Sequence, residues 1–181
     1  LSRRDFAVEE GRVRYGLAGV KNVGAGAIQD IQEARKSGRF KTFSDFLERV
    51  NLTRVNRKVL EALIQAGAFE ALEKNRARLL AGLALGLEHA QRAQSLQALK
   101  QMSMFDTLSR TANDDWLPEA PEWEESEKLA KEKQALGVYL SGHPLDSYRH
   151  IRKSWVKVTP ADLPDTPAGE RNTIEAVRLF P

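Results

Sequence analysis

The chain has 181 residues, 41% apolar and 29% charged, with 28 Lys/Arg against 25 Asp/Glu and no cysteine. That length suits one domain, or one and a part, and the apolar fraction is enough for a core. The lack of thiols excludes disulfides and thiolate metal sites, the scattered His89, His143 and His150 do not form a zinc set, and no run reaches the roughly 18 apolar residues of a membrane span.

Nothing at the N-terminus has the pattern of a secretory signal, so a cytoplasmic location is expected and no membrane partner. The chain starts at Leu1 and stops after Leu179-Phe180-Pro181 in an apparent strand, and it reads as a piece of a longer protein. Net charge is only +3, but it is unevenly spread. Residues 1–81 carry 16 Lys/Arg against 10 Asp/Glu, whereas residues 106–135 carry 4 against 9. A basic first half suits a polyanionic partner, although a surplus of six is also what a solvated surface carries.

Residues 5–17 alternate as a short β-hairpin, with Phe6 and Val8 on one strand, a turn at Glu10-Gly11, and Val13, Tyr15 and Leu17 beyond it. Next comes Leu17-Ala18-Gly19-Val20-Lys21-Asn22-Val23-Gly24-Ala25-Gly26-Ala27-Ile28, a glycine-bounded apolar bend opening into a helix. The glycines give the backbone freedom to take positive φ and to approach another surface. Val20 and Val23 are expected to face inward, with Lys21 and Asn22 at an exposed tip. The first helix of this motif is very short, around Leu17–Val20, and the second runs from about Ala25 to Lys36 and stops at Gly38. Free N–H groups and the positive dipole end at that tip suit a phosphate. An ordinary αα-turn whose glycines serve only as caps fits the same spacing.

Thr42, with Asp45 three residues on, predicts a capped helix whose stripe of Phe43, Phe46, Leu47 and Val50 belongs to the core. A further helix over about Val55–Ala66 buries Val59, Leu60, Leu63 and Ile64, and ends in a second tight corner at Ala66-Gly67-Ala68. Asn75 caps a long helix from Arg76 to about Leu99, interrupted by Gly82 and Gly86, each costing roughly 1 kcal/mol relative to alanine. Two such corners suggest a tandem pair, each holding one strand of a duplex. The second has a single glycine and no basic tip, so Arg76 and Arg78 are its nearest phosphate partners.

From Gln101 to Glu122 the polar, Pro-containing sequence reads as an exposed linker, with Asp114-Asp115 beside Trp116. A helix resumes over about 122–136 and stops at Gly137, and a turn, Tyr139-Leu140-Ser141-Gly142-His143-Pro144-Leu145, follows. The loop-rich remainder closes on strand-like residues Ile174–Phe180.

Three segments, LAGVKNVGAGAI, VNRKVLEALIQAGAFEAL and EKQALGVYLSGHPLDSY, resemble successive blocks of the C-family bacterial replicative polymerases, the DNA polymerase III alpha subunits. The likeness covers about residues 5–148. It implies a mainly α fold: a tandem helix-hairpin-helix domain with a short N-terminal β-hairpin and a partial β segment at the C-terminus. Residues 1–17 would be the tail of the fingers region, 18–100 the helix-hairpin-helix domain, 101–121 a linker, 122–150 a helix and connecting turn, and 151–181 the lead-in to an OB-fold. The DNA-binding residues would be Gly19, Val20, Lys21, Asn22, Val23, Gly24, Ala25 and Gly26 of the first hairpin, with Ala66, Gly67, Ala68 and Arg76 of the second.

The resemblance also makes Gln101-Met102-Ser103-Met104-Phe105 a clamp-binding peptide, with Met104 and Phe105 entering an apolar pocket and the Gln101 amide bonding at its rim. Packing of Met104 and Phe105 back on the long helix is the alternative. The implied partners are double-stranded DNA, bound without sequence preference, the β sliding clamp, and other polymerase III holoenzyme subunits through the parent. No catalytic residue or cofactor is expected in this chain, since the palm aspartates that hold Mg²⁺ lie outside it. Glu73 departs from the glycine common there in the family, which puts the shape of the second corner in question, and Gln134 replaces a frequent glutamate at an expected solvent-facing site. The competing readings are a helix-hairpin-helix DNA-repair enzyme, which lacks its lysine–aspartate pair here, and a protein–protein adaptor using the acidic stretch Glu122–Glu127.

Overall fold

The computed structural model describes residues 3–9, 11–100 and 114–148, the last four residues of its longest helix by backbone alone. The chain divides into two compact units, Leu1–Leu140 and Ser141–Pro181. In the second, the described part is a 3-10 turn at Pro144–Tyr148, closed by Asp146, which accepts from His143 N at 2.9 Å.

The first unit is mainly helical. It opens with the antiparallel pair β1 (Ala7–Glu9) and β2 (Arg12–Arg14), in which Val8 faces Val13. Gly11 turns between them at φ +73°, where a side chain would be strained. A 3-10 turn at Leu17–Gly19 then leads into α1 (Ala25–Lys36), α2 (Phe43–Arg49), α3 (Arg57–Gln65), α4 (Arg76–Lys100) and α5 (Glu125–Leu136). The very short first helix of the bend is this 3-10 turn.

Apolar spacing puts one face of each helix into a common core. Ile28 and Ile31 of α1, Phe43, Phe46 and Leu47 of α2, Leu60, Leu63 and Ile64 of α3 and Leu79 and Leu83 of α4 are buried. Each contributes about 1.5–3 kcal/mol through apolar area removed from water. Phe69, just after the second corner, meets Phe43 and Phe46 edge-on at 5.1 and 4.8 Å.

Capping groups set the helix boundaries. Thr42 Oγ1 accepts from Asp45 N at 3.0 Å, Asn56 Oδ1 from Val59 N at 3.2 Å and Asn75 Oδ1 from Arg78 N at 2.9 Å. The Asp45 carboxylate accepts from Lys41 N at 2.9 Å, one residue before the usual capping-box partner. At the far end of α1, the Arg49 guanidinium donates to Ala34 O, to Gly38 O at 2.8 Å and to Ser37 Oγ at 2.9 Å, and lies over the Phe40 ring.

The expected exposed linker over 101–121 is corrected at its C-terminal end, where residues 114–118 pack as part of the fold. Asp114 accepts from Phe43 N and Ser44 N at 2.7 and 2.9 Å, a second cap on α2. Trp116 Nε1 donates to Ser44 Oγ at 2.7 Å, and Leu117 is 3% exposed. This staple lies over Gly82 and Gly86. A Cβ on Gly86 would fall 2.5 Å from Trp116 Cη2, and one on Gly82 would fall 2.6 Å from Leu117 Cδ2. The two glycines therefore seat a loop.

Helix α5 starts at Glu125, three residues later than the sequence suggests, because Glu122 serves a neighbouring helix. Its carboxylate accepts from Arg76 N at 2.7 Å, Ala77 N at 3.3 Å and Trp123 N at 2.8 Å. Partial burial works against the charged form, but the three N–H donors prevail and hold this carboxyl below the usual glutamate range. Gly137 ends α5 at φ +80°, its N–H bonded to Lys133 O at 2.7 Å.

Candidate nucleic-acid interface

The bend at residues 17–28 combines a buried clamp with an open tip. Val20 and Val23 are buried at 5% and 8% exposure, whereas Lys21, Asn22, Gly24 and Ala25 are exposed. Val20 N bonds to Leu17 O and Val23 N to Val20 O, each at 3.2 Å, which folds the bend tightly.

The left-handed residue of this bend is Asn22, at φ 66°, and not a flanking glycine. Asparagine tolerates that region better than other residues with a side chain. Gly24 sits at φ −74° and ψ 161°, open to any residue, and a Cβ built there meets nothing within 4 Å. Its contribution is empty space above the helix start. Gly19 differs, because a Cβ there would lie 2.5 Å from Tyr15 Cε1.

Helix α1 begins without protection. Gly24, its N-cap, offers no side chain, and no acidic residue stands in the first turn. Helices α2, α3 and α4 each receive a side-chain cap, and α5 has Glu125 and Glu127 in its first turn. The first-turn N–H groups of α1, those of Ala25, Gly26 and Ala27, thus stand at the positive end of a twelve-residue helix that starts at the exposed Gly24 and Ala25. Lys21 makes no ion pair among the described residues. Lys41 precedes the α2 cap, and its N–H bonds to Asp45 Oδ2 at 2.9 Å.

Arg54, in the connection between α2 and α3, was not marked by the sequence pattern. Its Cδ lies 3.5 Å from where a Cβ of Gly26 would be, and its guanidinium reaches Asp30 Oδ1 at 3.4 Å with 56% of the side chain exposed. It places a second cation beside the first turn of α1. No local motif signals it, because a loop 28 residues downstream brings it there.

The second corner is built differently. Gly67 takes φ +74°, and its N–H bonds to Ile64 O at 3.0 Å while Ala68 N bonds to Leu63 O at 2.9 Å. Ala66 N likewise bonds to Ala62 O at 2.9 Å. This is a Schellman closure, in which the corner amides satisfy carbonyls of α3. Ala66, Gly67 and Ala68 have no main-chain N–H left for a phosphate.

The expectation that Arg76 meets a phosphate is also corrected. The residue is 3% exposed, and its guanidinium donates to Glu70 Oε1 at 2.5 Å and to Gln65 O at 3.0 Å, with Glu132 Oε1 at 3.4 Å. It fills the space beside Gly67, whose Cβ would fall 2.4 Å from Arg76 Nη2. Arg78 is likewise engaged, paired with Glu73 at 3.0 Å and bonded to Leu117 O and Pro118 O. Glu73 completes this corner by accepting from Asn75 N at 2.9 Å. Gln134 is exposed. Gln101, Met102, Ser103, Met104 and Phe105, like residues 151–181, lie outside the described residues.

The architecture of a short turn, a tight apolar bend and an open helix start defines a helix-hairpin-helix protein, and residues 1–79 match the family described as "Helix-hairpin-helix motif". Three curated relatives extend the match, all named DNA polymerase III subunit alpha. The Neisseria meningitidis serogroup B protein is 44% identical over 138 residues, 76% of this chain and 12% of the relative. The Bacillus subtilis protein is 42% identical over 144 residues, and the Mycobacterium leprae protein 36% over 150, covering 80% and 81% of this chain and 13% of each relative. The chain belongs to the DNA polymerase III alpha-subunit family and spans about an eighth of the length of these relatives.

Proposed function

We propose that this chain is a non-catalytic region of a bacterial replicative DNA polymerase that holds duplex DNA by its sugar-phosphate backbone. The open start of α1 carries the proposal: three N–H donors, no capping side chain, no acid in the first turn, and Lys21 and Arg54 beside it. Such an arrangement favours a phosphate oxygen through directed hydrogen bonds and the helix dipole together. Backbone donors and flexible cations read no base edge, so the grip is indifferent to sequence. Membership of a polymerase family supports duplex DNA as the polyanion, and a cytoplasmic replisome as the setting.

The resemblance further supports a tie to the β sliding clamp through Gln101–Phe105. A peptide held by a ring on the same duplex makes rebinding intramolecular, at an effective concentration of about mM for a short tether. Modest phosphate contacts then give long occupancy, and the region contributes processivity to a parent whose other parts polymerise.

Titration of the 181-residue chain against a fluorescent duplex over a range of salt tests the reading. The logarithm of the association constant is expected to fall linearly with log salt, by about 0.9 per phosphate neutralised. Lys21→Glu should weaken binding and reduce that slope by about one. Salt-independent binding, or unchanged binding by Lys21→Glu, overturns the proposal.

A further inference from the structure

We infer that α5 holds the bend in its binding shape, and that Tyr15 and Glu132 are positioning residues for the phosphate grip. The inference rests on the reading of α1's open start as that grip. The last carbonyls of a helix lack partners within it. Here two of them are taken by the bend and by Tyr15, two residues ahead of it: Lys21 N donates to Ala135 O at 2.8 Å, and the Tyr15 hydroxyl donates to Leu136 O at 2.9 Å. That hydroxyl also lies 3.2 Å from Gly19 O, and its ring packs against Gly19 and, edge-on at 4.6 Å, against Phe6. A residue with a side chain at positive φ, such as Asn22, persists where its surroundings over-determine it. The bonds on either side of Asn22 run to Val20 O and to α5.

Glu132 sets the register of α5. It is 1% exposed, accepts from Leu140 N at 2.7 Å just past the helix end, and faces the Arg76 guanidinium at 3.4 Å. Arg76 is in turn held by Glu70 and by Gln65 O, at the second corner. A continuous chain of contacts therefore runs from the Gly67 corner through Arg76 and Glu132 along α5 to Lys21. In this arrangement the second corner acts on the first as a scaffold. It also gives the EK-x-ALG block a physical purpose: glutamate for register, glycine for a helix end whose carbonyls meet the bend.

Tyr15→Phe tests this in the 181-residue chain, because it removes the hydroxyl and keeps the ring. Duplex affinity is expected to fall about three- to ten-fold, as for one lost hydrogen bond, with the salt slope unchanged. Hydrogen exchange at the Lys21 amide should accelerate by a similar factor while amides of α3 and the melting temperature hold. Glu132→Gln, which keeps an acceptor but loses the charge facing Arg76, should shift both readouts in the same direction.

Unchanged affinity and unchanged Lys21 exchange in Tyr15→Phe overturn the inference. Lys21→Glu separates the two ideas: if it leaves duplex binding intact, the phosphate reading fails. If it weakens binding while Tyr15→Phe does not, only the positioning role fails. Should Tyr15→Phe not fold, exchange in the wild type under rising denaturant decides. Opening of Lys21 together with the end of α5 supports the inference, and independent opening at lower cost overturns it.

Discussion

Gly24 lacks a side chain at a place where the fold would accept one, with ordinary φ and open space above it. A folding argument alone would put serine or aspartate at an N-cap. Among the described residues no side chain caps the first-turn amides of α1, at a cost of about a few tenths of a kcal/mol against aspartate, which suits the proposed phosphate. Gly24→Asp should raise the stability of the free chain, by about 0.5–1 kcal/mol, because its carboxylate caps α1. The same carboxylate occupies the phosphate position, so duplex binding should be lost. Thermal unfolding and a binding titration on one sample check the pair, and a joint rise or joint fall contradicts it. A β-branched residue at Gly24 should also weaken binding, by blocking approach, since the ordinary φ there gives a side chain no backbone strain. Residue type alone could not place Gly26 and Arg76, for one reason. Glycine and arginine each serve several roles, and the neighbour that selects the role is remote in sequence: Glu132 for Arg76, Arg54 for Gly26.

Helix positions were readable because caps and apolar periodicity are local. Thr42 and Asn75 stand where the chain turns into helix, and α1 runs from Ala25 to Lys36 as its pattern indicates, whereas α3 starts two residues later than expected, capped by Asn56, which the pattern puts inside it. What pattern missed are caps lent by one element to another. Asp114 serves α2 and Glu122 serves α4, both from a stretch whose composition reads as linker. Glu122→Gln should cost about 1 kcal/mol at neutral pH, the usual value of a lost charged cap. Its folded pKa is depressed, so the stabilisation is present above the unfolded pKa and disappears as pH falls through the folded one. The melting curves of wild type and variant should therefore converge in acid below pH 4.5. Glycines in α4 supply an opposite-sign test. Helix propensity alone makes Gly86→Ala stabilising by about 1 kcal/mol. Overpacking against Trp116 and Leu47 costs about 1–3 kcal/mol, so a net loss is expected, with a change in tryptophan emission as the staple shifts.

At the scale of the whole molecule, two attachments of different character are proposed for one chain, a duplex grip in the first unit and a peptide for a ring-shaped partner. Were both to hold, linking them would make the second an intramolecular event, so that together they act multiplicatively. Retention of the chain on immobilised β clamp should fall at least about ten-fold when Met104 and Phe105 are both replaced by alanine, given that anchors of this kind dominate small interfaces. Retention unaffected by the double replacement removes that attachment, and leaves the duplex grip standing on its own test. Family membership was legible because three separated blocks resemble the family, the EKQALGVYLSGHPLDSY block most distinctively. The division of labour between the two corners was not, since each looks like a helix–turn–helix junction until its hydrogen bonds are followed.

The Schellman closure at Gly67 has a consequence for symmetry. Paired hairpins with equivalent amides would straddle a groove and touch both polynucleotide strands alike. On the proposed reading, with the Gly67 corner's amides turned inward, the main-chain contact of the described residues would fall on a single rail of the double helix, the one held at the start of α1. On that reading a break in the rail without main-chain contact would disturb the grip less than a break in the other, which would remove its foothold.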